Sequence, residues 1–174
     1  MQGRRCLARV RCAHAASRFP CMTTAEARTA IDVMTEIAID RPRAEVAAYV
    51  SDPDNVTAWY ANIDSIEWKT PKPVQVGSRM AFVARFLGRR LAYVYEVKEI
   101  VADERFVMAT ADGPFAMETT YLWEGAPGAA TLMRLRNRGE PSGFARFTTP
   151  MMAAAVRRAN RKDLAALKRI LEQG

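Results

Sequence analysis

The chain has 174 residues, 49% of them hydrophobic, which is enough for one domain that buries a core without a metal or a disulfide. No apolar run approaches the roughly 20 residues of a membrane-spanning helix, so no membrane span is expected. The net charge of +7 is uneven, because residues 1–33 hold six arginines against two acids, while residues 34–174 hold 20 basic and 17 acidic side chains. A nucleic-acid partner requires a basic patch on the folded domain, so this distribution argues against one.

The first 33 residues are rich in Arg and Ala and have no acid before Glu26. They lack the apolar stretch of a secretory signal, although their composition resembles that of a mitochondrial transit peptide. We favour a third interpretation, a disordered extension or translated upstream sequence with the true start at Met22 or Met34. Arg outnumbers Lys 21 to 5, which is typical of a GC-rich bacterial gene, where open frames extend upstream by chance. We therefore expect a cytoplasmic protein whose domain comprises residues 34–174.

The three cysteines and the one histidine also lie in this first segment. A zinc site built from Cys6, Cys12, His14 and Cys21 would have suitable ligand types, but the spacing is unusual and no apolar framework surrounds it. Three cysteines cannot all pair within one chain, and no Cys-x-x-Cys occurs. Because residues 34–174 contain neither Cys nor His, thiol chemistry, imidazole chemistry and a His-ligated metal are excluded there. We expect no metal and no cofactor.

The domain begins with one predicted strand and two short helices. Residues 34–39 alternate between apolar and polar side chains, which predicts the strand. A helix follows over 44–50. The run SDPDN at 51–55 ends this helix and predicts a second one that reaches Trp59 and Tyr60.

Six further segments alternate with a period of two and are separated by turn residues rather than helices. These predicted strands cover residues 63–69, 78–86, 90–100, 105–111, 115–124 and 131–138. Strands repeated at hairpin spacing form an antiparallel sheet with one buried face. The period then becomes helical, and apolar residues at three- and four-residue steps predict a long amphipathic helix from about 150 to 172.

Four stretches of the sequence can be compared with motifs of a known superfamily. They are RPRAEVAAYVSDPDNVTAWY, VGSRMAFVARFLGRRLAYVYEV, GPFAMETTYLWE and GAATLMRLRNRGEP. In this order they resemble the opening, the central hairpin and the last strands of the SRPBCC superfamily, which includes the START and Bet v 1 proteins. The resemblance covers residues 34–174. It implies an α+β helix-grip fold, in which a curved antiparallel sheet of about seven strands wraps around a long C-terminal helix and two short helices follow strand 1.

The resemblance also implies an internal cavity between the sheet and the long helix. Members of the superfamily are lipid or hormone carriers, polyketide cyclases, ring-hydroxylating oxygenase domains and chaperone co-factors. The oxygenase branch requires a His-rich iron site, which residues 34–174 lack. The remaining branches all stay open at this point.

The strand faces predict which residues line this cavity. The candidates are Phe82, Phe86, Tyr93, Tyr95, Met108, Phe115, Met117, Tyr121 and Met133 on the sheet, with Met151 and Ala155 on the helix. Flexible methionines, paired tyrosine hydroxyls and small helix side chains favour a pocket over a filled core. Trp59 and Tyr60 either line the entrance or fasten the second short helix to the sheet. An apolar cavity with few polar groups is the usual form of a small-molecule site.

No catalytic residues are predicted. The candidate acids are Asp112 and Glu118, but alternation points Glu118 outward, and a general acid–base pair needs two titratable groups within reach of each other. We therefore favour a non-enzymatic carrier or sensor of a small hydrophobic or aromatic molecule, either lipid-like or polyketide-like. The alternatives are a polyketide cyclase- or dehydratase-like enzyme that uses tyrosine hydroxyls, and a protein-interaction or chaperone co-factor module that docks through Trp59, Tyr60 and the basic face of the helix.

Overall fold

The computed structural model describes residues 31–140 and 148–174. Within these residues, seven strands form one antiparallel sheet that curves around a long helix. The elements are β1 (Ile31–Ile39), α1 (Arg43–Ser51), α2 (Val56–Trp59), β2 (Ile63–Trp68), β3 (Arg79–Phe86), β4 (Arg89–Val101), β5 (Arg105–Asp112), β6 (Ala116–Gly125), β7 (Thr131–Glu140) and α3 (Thr149–Gln173). Short 3-10 turns at Pro53–Asn55 and Pro127–Ala129 join α1 to α2 and β6 to β7. The predicted α+β helix-grip fold is confirmed.

The sheet has the strand order β1-β7-β6-β5-β4-β3-β2, so β2 to β7 are successive antiparallel neighbours and β1 pairs with β7. One face of each strand is apolar because successive side chains point to opposite sides. In β3, for example, Met80, Phe82 and Ala84 are buried, whereas Arg79 and Arg85 are exposed. A slip of one residue would expose this whole set, so burial fixes the register of the strand.

Irregular pairing bends the sheet around the helix. The pairing of β4 with β5 shifts register between Val94 and Tyr95 and again between Val97 and Glu99. An extra residue on one strand of a pair increases the local twist and bends that strand. The 13-residue strand β4 can therefore curve, and its concave side faces the helix.

The C-terminal helix α3 packs its apolar side against the concave face of the sheet. Its 25 residues bury Met152, Val156, Leu164, Leu167 and Leu171, whose spacing places them on one side of the helix. Removing this stripe from water is the main favourable contribution to docking of the helix. The helix position in turn fixes how much space remains between it and the sheet.

Hydrogen bonds fasten the end of α3 to the end of β1. The Asp40 N–H donates to Glu172 Oε1 at 2.7 Å, and Lys168 Nζ donates to the Ala38 carbonyl at 2.7 Å. Arg41 donates to the Glu172 carbonyl at 3.1 Å, which satisfies one of the carbonyls left without a partner at a helix end. These bonds hold α3 in one position over the sheet.

The first strand begins at Ile31, three residues before the predicted start at Met34. Ile31 and Val33 are 1% and 0% exposed because they pair with Gly139 and Asn137 of β7 and face the core. The alternation of apolar and polar side chains does extend to Ile31, but the Arg- and Ala-rich segment before it has no such pattern and obscures the start of the strand.

Several expectations concern residues outside the described ranges. These are the zinc-ligand candidates Cys6, Cys12, His14 and Cys21, and residues 1–30 of the predicted extension. Within residues 31–140 and 148–174, no group of three or more His, Cys, Asp or Glu side chains is placed to hold a metal ion. The helices in this part of the chain include none with the length and apolarity to cross a bilayer.

Candidate ligand-binding site

A cavity with a volume of about 140 Å³ lies between the concave face of the sheet and α3. Its apolar lining consists of Ile31, Val56, Ile63, Phe82, Ala84, Phe86, Leu91, Met108, Phe115, Met117, Met152, Val156 and Ala159. Its polar lining consists of Tyr60, Asn62, Arg85, Tyr93, Tyr95, Thr119, Tyr121, Asn137, Asn160 and Asp163. Apolar walls with a small set of polar groups are typical of small-molecule sites.

Four aromatic rings form one wall of this cavity. Phe82 and Tyr93 lie opposite each other on β3 and β4 and stack, with ring centroids 5.6 Å apart and ring planes 10° apart. Tyr95 and Phe115 pack against Tyr93 with centroid distances of 5.0 and 5.3 Å. Each aromatic pair contributes about 0.5–1.5 kcal/mol beyond its buried area. The rings therefore hold one another in place and offer a rigid surface to a flat apolar molecule.

A chain of buried hydrogen bonds crosses from the sheet to the helix. The Tyr95 hydroxyl lies 3.1 Å from Thr119 Oγ1, and Asn137 Nδ2 donates to the same Thr119 oxygen at 3.0 Å. Asn160 of α3 donates through Nδ2 to Asn137 Oδ1 at 2.7 Å. A buried polar group without a partner costs about 1–3 kcal/mol, so these bonds stabilise the network. They also fix the orientation of each polar group at the cavity wall.

Tyr60 and Tyr121 share a second hydrogen bond, with their hydroxyl oxygens 2.8 Å apart. Burial raises the pKa of both hydroxyls above the usual value for tyrosine, and it raises the pKa of Tyr95 to about 12. The ring of Trp59 lies against the Tyr60 ring with a centroid distance of 4.0 Å and supports it. All three hydroxyls therefore stay protonated near neutral pH and offer hydrogen bonds, not charge, to a ligand.

Asp163 brings a carboxyl group to the cavity near these hydroxyls. The residue is 2% exposed, and its Oδ1 accepts a hydrogen bond from the Ala61 N–H at 3.1 Å. Burial raises the pKa of this carboxyl to about 6, although the Ala61 N–H and the charge of Lys162 favour the ionised form. Among the described residues that line the cavity, Asp163 is the only acid. It changes protonation state close to neutral pH.

Nine of the thirteen residues predicted for the pocket or its entrance do line the cavity. They are Tyr60, Phe82, Phe86, Tyr93, Tyr95, Met108, Phe115, Met117 and Tyr121. Strand alternation brings the sheet residues together because each strand buries only one face. Their contact with a ligand stays a prediction.

The other four predicted residues lie outside the cavity lining. Met133 is 0% exposed and fills the core, and Trp59, packed against Tyr60, is 1% exposed and so neither lines the entrance nor forms an exposed docking surface. Met151 is 56% exposed, and Ala155, one helical turn further on, lines only a shallow groove on the outside. The reason is the rotation of α3, which turns Met151 and Ala155 to the outside and leaves them off the enclosed cavity wall.

Three polar cavity residues, Asn137, Asn160 and Asp163, are not revealed by the pattern of apolar residues. Their signal is nevertheless present in the sequence. Asn160 and Asp163 continue the helical spacing between Val156 and Leu167, so they interrupt the buried stripe with polar side chains. Polar residues at core positions indicate a function or a hydrogen-bond network, because buried polar groups require partners.

Met133→Ala and Met151→Ala form a matched test of these placements. We expect Met133→Ala to lower the free energy of unfolding by about 2–4 kcal/mol, because it leaves a void in a close-packed core. Met151→Ala should change that free energy by less than about 0.5 kcal/mol, because the side chain is exposed. Urea unfolding followed by far-UV circular dichroism measures both values. Equal losses in the two variants would contradict the assigned positions.

Comparison with known proteins agrees with this architecture. The sequence profile of the family described as polyketide cyclase/dehydrase and lipid transport matches residues 30–172. No curated protein matches the sequence significantly. A START superfamily protein of Mycobacterium smegmatis has a TM-score of 0.70 at 15% identity, over 82% of this chain and 97% of that chain.

Two other solved structures have similar scores. A protein of Thermus thermophilus has a TM-score of 0.67 at 20% identity, over 83% of this chain and 99% of that chain. The Zhui aromatase/cyclase of a Streptomyces strain has a TM-score of 0.68 at 12% identity, over 83% and 94% of the two chains. At these low identities the structural likeness establishes the fold alone. Since the family profile spans nearly all of the described residues, the chain belongs to the polyketide cyclase/dehydrase and lipid transport family, within the SRPBCC superfamily.

Proposed function

We propose that this protein binds a compact, ring-containing hydrophobic molecule in the cavity and acts as a carrier or sensor without a chemical step. The observation that carries the proposal is the cavity itself, which combines an aromatic wall with fixed hydrogen-bonding groups. Stacked rings favour a flat apolar body, and a few fixed polar groups orient it. The family's description names polyketide cyclases and lipid transport, and one structural neighbour is an aromatase/cyclase, which supports a ring-containing or lipid-like ligand.

The size of the cavity narrows the ligand class further. Its volume is about 140 Å³, and an apolar cavity of about 150 Å³ takes up one benzene ring. The part of a ligand that enters fully is therefore about one ring in size, and a larger ligand must extend towards the outside. This favours a small aromatic metabolite over a long-chain lipid.

Native mass spectrometry of the full chain, purified gently from its host, tests the proposal. We expect a mass excess that disappears on denaturation, and saturable uptake of the neutral probe 2-naphthol at one site per chain. The probe's fluorescence reports its transfer from water to the cavity. A protein that carries no bound compound and also fails to take up 2-naphthol would overturn the proposal.

A second candidate function is acid–base catalysis of the cyclase or dehydratase type, and the observation that favours it is Asp163. A carboxyl group whose pKa is about 6 can give or take a proton near neutral pH. The charge of Asp163 contributes to the raised pKa of the Tyr60 and Tyr121 hydroxyls, so these hydroxyls lie near the carboxyl group and could hold an oxygen of the reacting molecule. A chemical difference between the compounds bound to the wild type and to the Asp163→Asn variant would favour this candidate.

A further inference from the structure

The cavity opens to the outside between the β3–β4 turn and α3. Arg85 has an exposed side chain and nevertheless lines the cavity, so the cavity reaches the surface at this residue. Asn62, Arg85, Phe86 and Ala159 line both the cavity and a shallow outer groove. The other residues of this groove are Leu87, Ala154, Ala155, Arg158 and Lys162. A molecule seated in the cavity can therefore leave one end in the groove.

The charged residues of the outer groove are all basic. Arg85 is neutralised locally, because its Nε lies 2.8 Å from Asp64 Oδ2. Arg158 and Lys162 are exposed and form no ion pair with any residue that the structure describes. They lie one turn apart on α3, where like charges repel each other. An anion held between them would relieve this repulsion and interact with both.

The inner part of the cavity has the opposite preference. The carboxyl group of Asp163 lies there, and an anion placed beside it would meet a like charge at neutral pH. Burying a charge without an opposite charge is also costly, because the tyrosine hydroxyls and asparagine amides of the inner cavity are neutral and offer hydrogen bonds but no positive charge. An acidic group on a ligand is thus stable in the groove and unstable in the cavity.

We propose that the ligand is a small organic acid whose ring enters the cavity while its carboxylate stays in the groove beside Arg158 and Lys162. The inference rests on the proposed function, because it names the chemical class of the molecule that this site takes. Lys and Arg bind carboxylates through charge-assisted hydrogen bonds, which are stronger than those between neutral groups. The aromatic wall then recognises the ring, and the two cations recognise the acid.

A pair of matched ligands tests this inference on the full chain. 3-Phenylpropanoate and its neutral amide have the same ring and the same reach, and each is titrated against bound 2-naphthol. We expect the carboxylate to bind about tenfold more tightly than the amide at low ionic strength. The difference should shrink as salt is added, because salt screens exposed charges.

Charge-reversed variants assign the effect to the groove. In the Arg158→Glu/Lys162→Glu variant we expect the preference for the carboxylate to be lost, while the affinity for the amide stays unchanged. Arg161→Glu/Arg169→Glu is the control, since it makes the same change in net charge at exposed positions of α3 outside the groove. This control variant should keep the preference for the carboxylate close to tenfold, with only a small decrease caused by the lower net positive charge of the protein.

The outcomes separate the two proposals. Equal affinities of acid and amide in the wild type, or a preference that survives in Arg158→Glu/Lys162→Glu, would overturn the inference and leave the proposed function intact. Failure of 2-naphthol and of both phenylpropanoids to bind to a protein that also carries no bound compound would instead overturn the proposed function.

Discussion

Ala159→Phe is expected to weaken the binding of 2-naphthol by about 100-fold. Ala159 lines both the cavity and the outer groove, so a side chain added there occupies the passage between them. The cavity has room for about one ring, and the new phenyl group takes that room. Burying an aromatic ring contributes up to about 3 kcal/mol, and losing that contribution corresponds to about 100-fold in affinity. Fluorescence titration with 2-naphthol measures the loss.

Ala165→Phe is the matched control for this variant. Ala165 lies on the same helix, is exposed and is not part of the cavity lining, so the same substitution should leave the affinity unchanged. Far-UV circular dichroism establishes that both variants are folded before binding is compared. A folded Ala159→Phe protein that binds 2-naphthol as well as the wild type would show that the probe does not enter this cavity.

The sheet side of the site could be predicted from sequence because a strand has only two faces. Once Met80, Phe82 and Ala84 define the buried face of β3, the period of two carries the assignment through the whole strand. The same argument assigns Tyr93 and Tyr95 on β4. The order of the strands and the long final helix could also be predicted from the sequence, because hairpin spacing and helical period are local properties of the chain.

The residues on the helix side of the site were harder to predict, because successive side chains on a helix point in directions about 100° apart. Met151 and Met152 are adjacent and equally apolar, but only Met152 has the same orientation as Val156 and Leu167. Choosing between them requires all the apolar positions of α3 to be placed around the helix axis together. The same placement identifies Ala155 as a residue on the outer side. Trp59 was ambiguous for another reason, since its burial depends on packing against Tyr121 of β6, which its own segment does not specify.

The polar network could not be predicted from any single segment. Its members Thr119, Asn137 and Asn160 lie on β6, β7 and α3, and their hydrogen bonds exist only once all three elements are packed together. Each residue alone looks like an ordinary polar position. The signal is that each of these polar residues occupies a position on the buried face of its strand or helix. This can be recognised only after the apolar residues have shown which face is buried.

Asp163→Asn is expected to stabilise the protein above about pH 6 and to remove part of its pH dependence. The pKa of Asp163 is about 6 in the folded protein and 3.8 in the absence of perturbation. Because the folded state holds this proton more tightly, its protonation stabilises the fold at low pH, and that contribution is lost as pH rises from about 4 to above 6. After allowance for solvent in the cavity, the loss is about 1–2 kcal/mol. Asparagine carries no charge and can still accept the Ala61 N–H bond.

Urea unfolding of both proteins at about pH 4 and pH 7.5 measures this difference. The comparison with the wild type at each pH cancels the contributions of the other acids, several of which have a lowered pKa and therefore the opposite slope, such as Asp32 beside Arg136. Asp112→Asn is the control, since it removes an acid from an exposed strand end and should change stability by less than about 0.5 kcal/mol. An Asp163→Asn protein that is no more stable than the wild type at pH 7.5 would contradict the assigned burial of the carboxylate.

The same variant distinguishes a carrier from a dehydratase that depends on Asp163. If the protein only binds its ligand, wild type and Asp163→Asn purified from the same host should release compounds of identical mass, because no step depends on a proton from the carboxyl group. If Asp163 takes part in a dehydration, the variant should retain a compound heavier by one water than the one released by the wild type. Catalysis would then explain why the fold tolerates this unfavourable burial of a carboxyl group, whereas identical masses would exclude a dehydration that depends on Asp163.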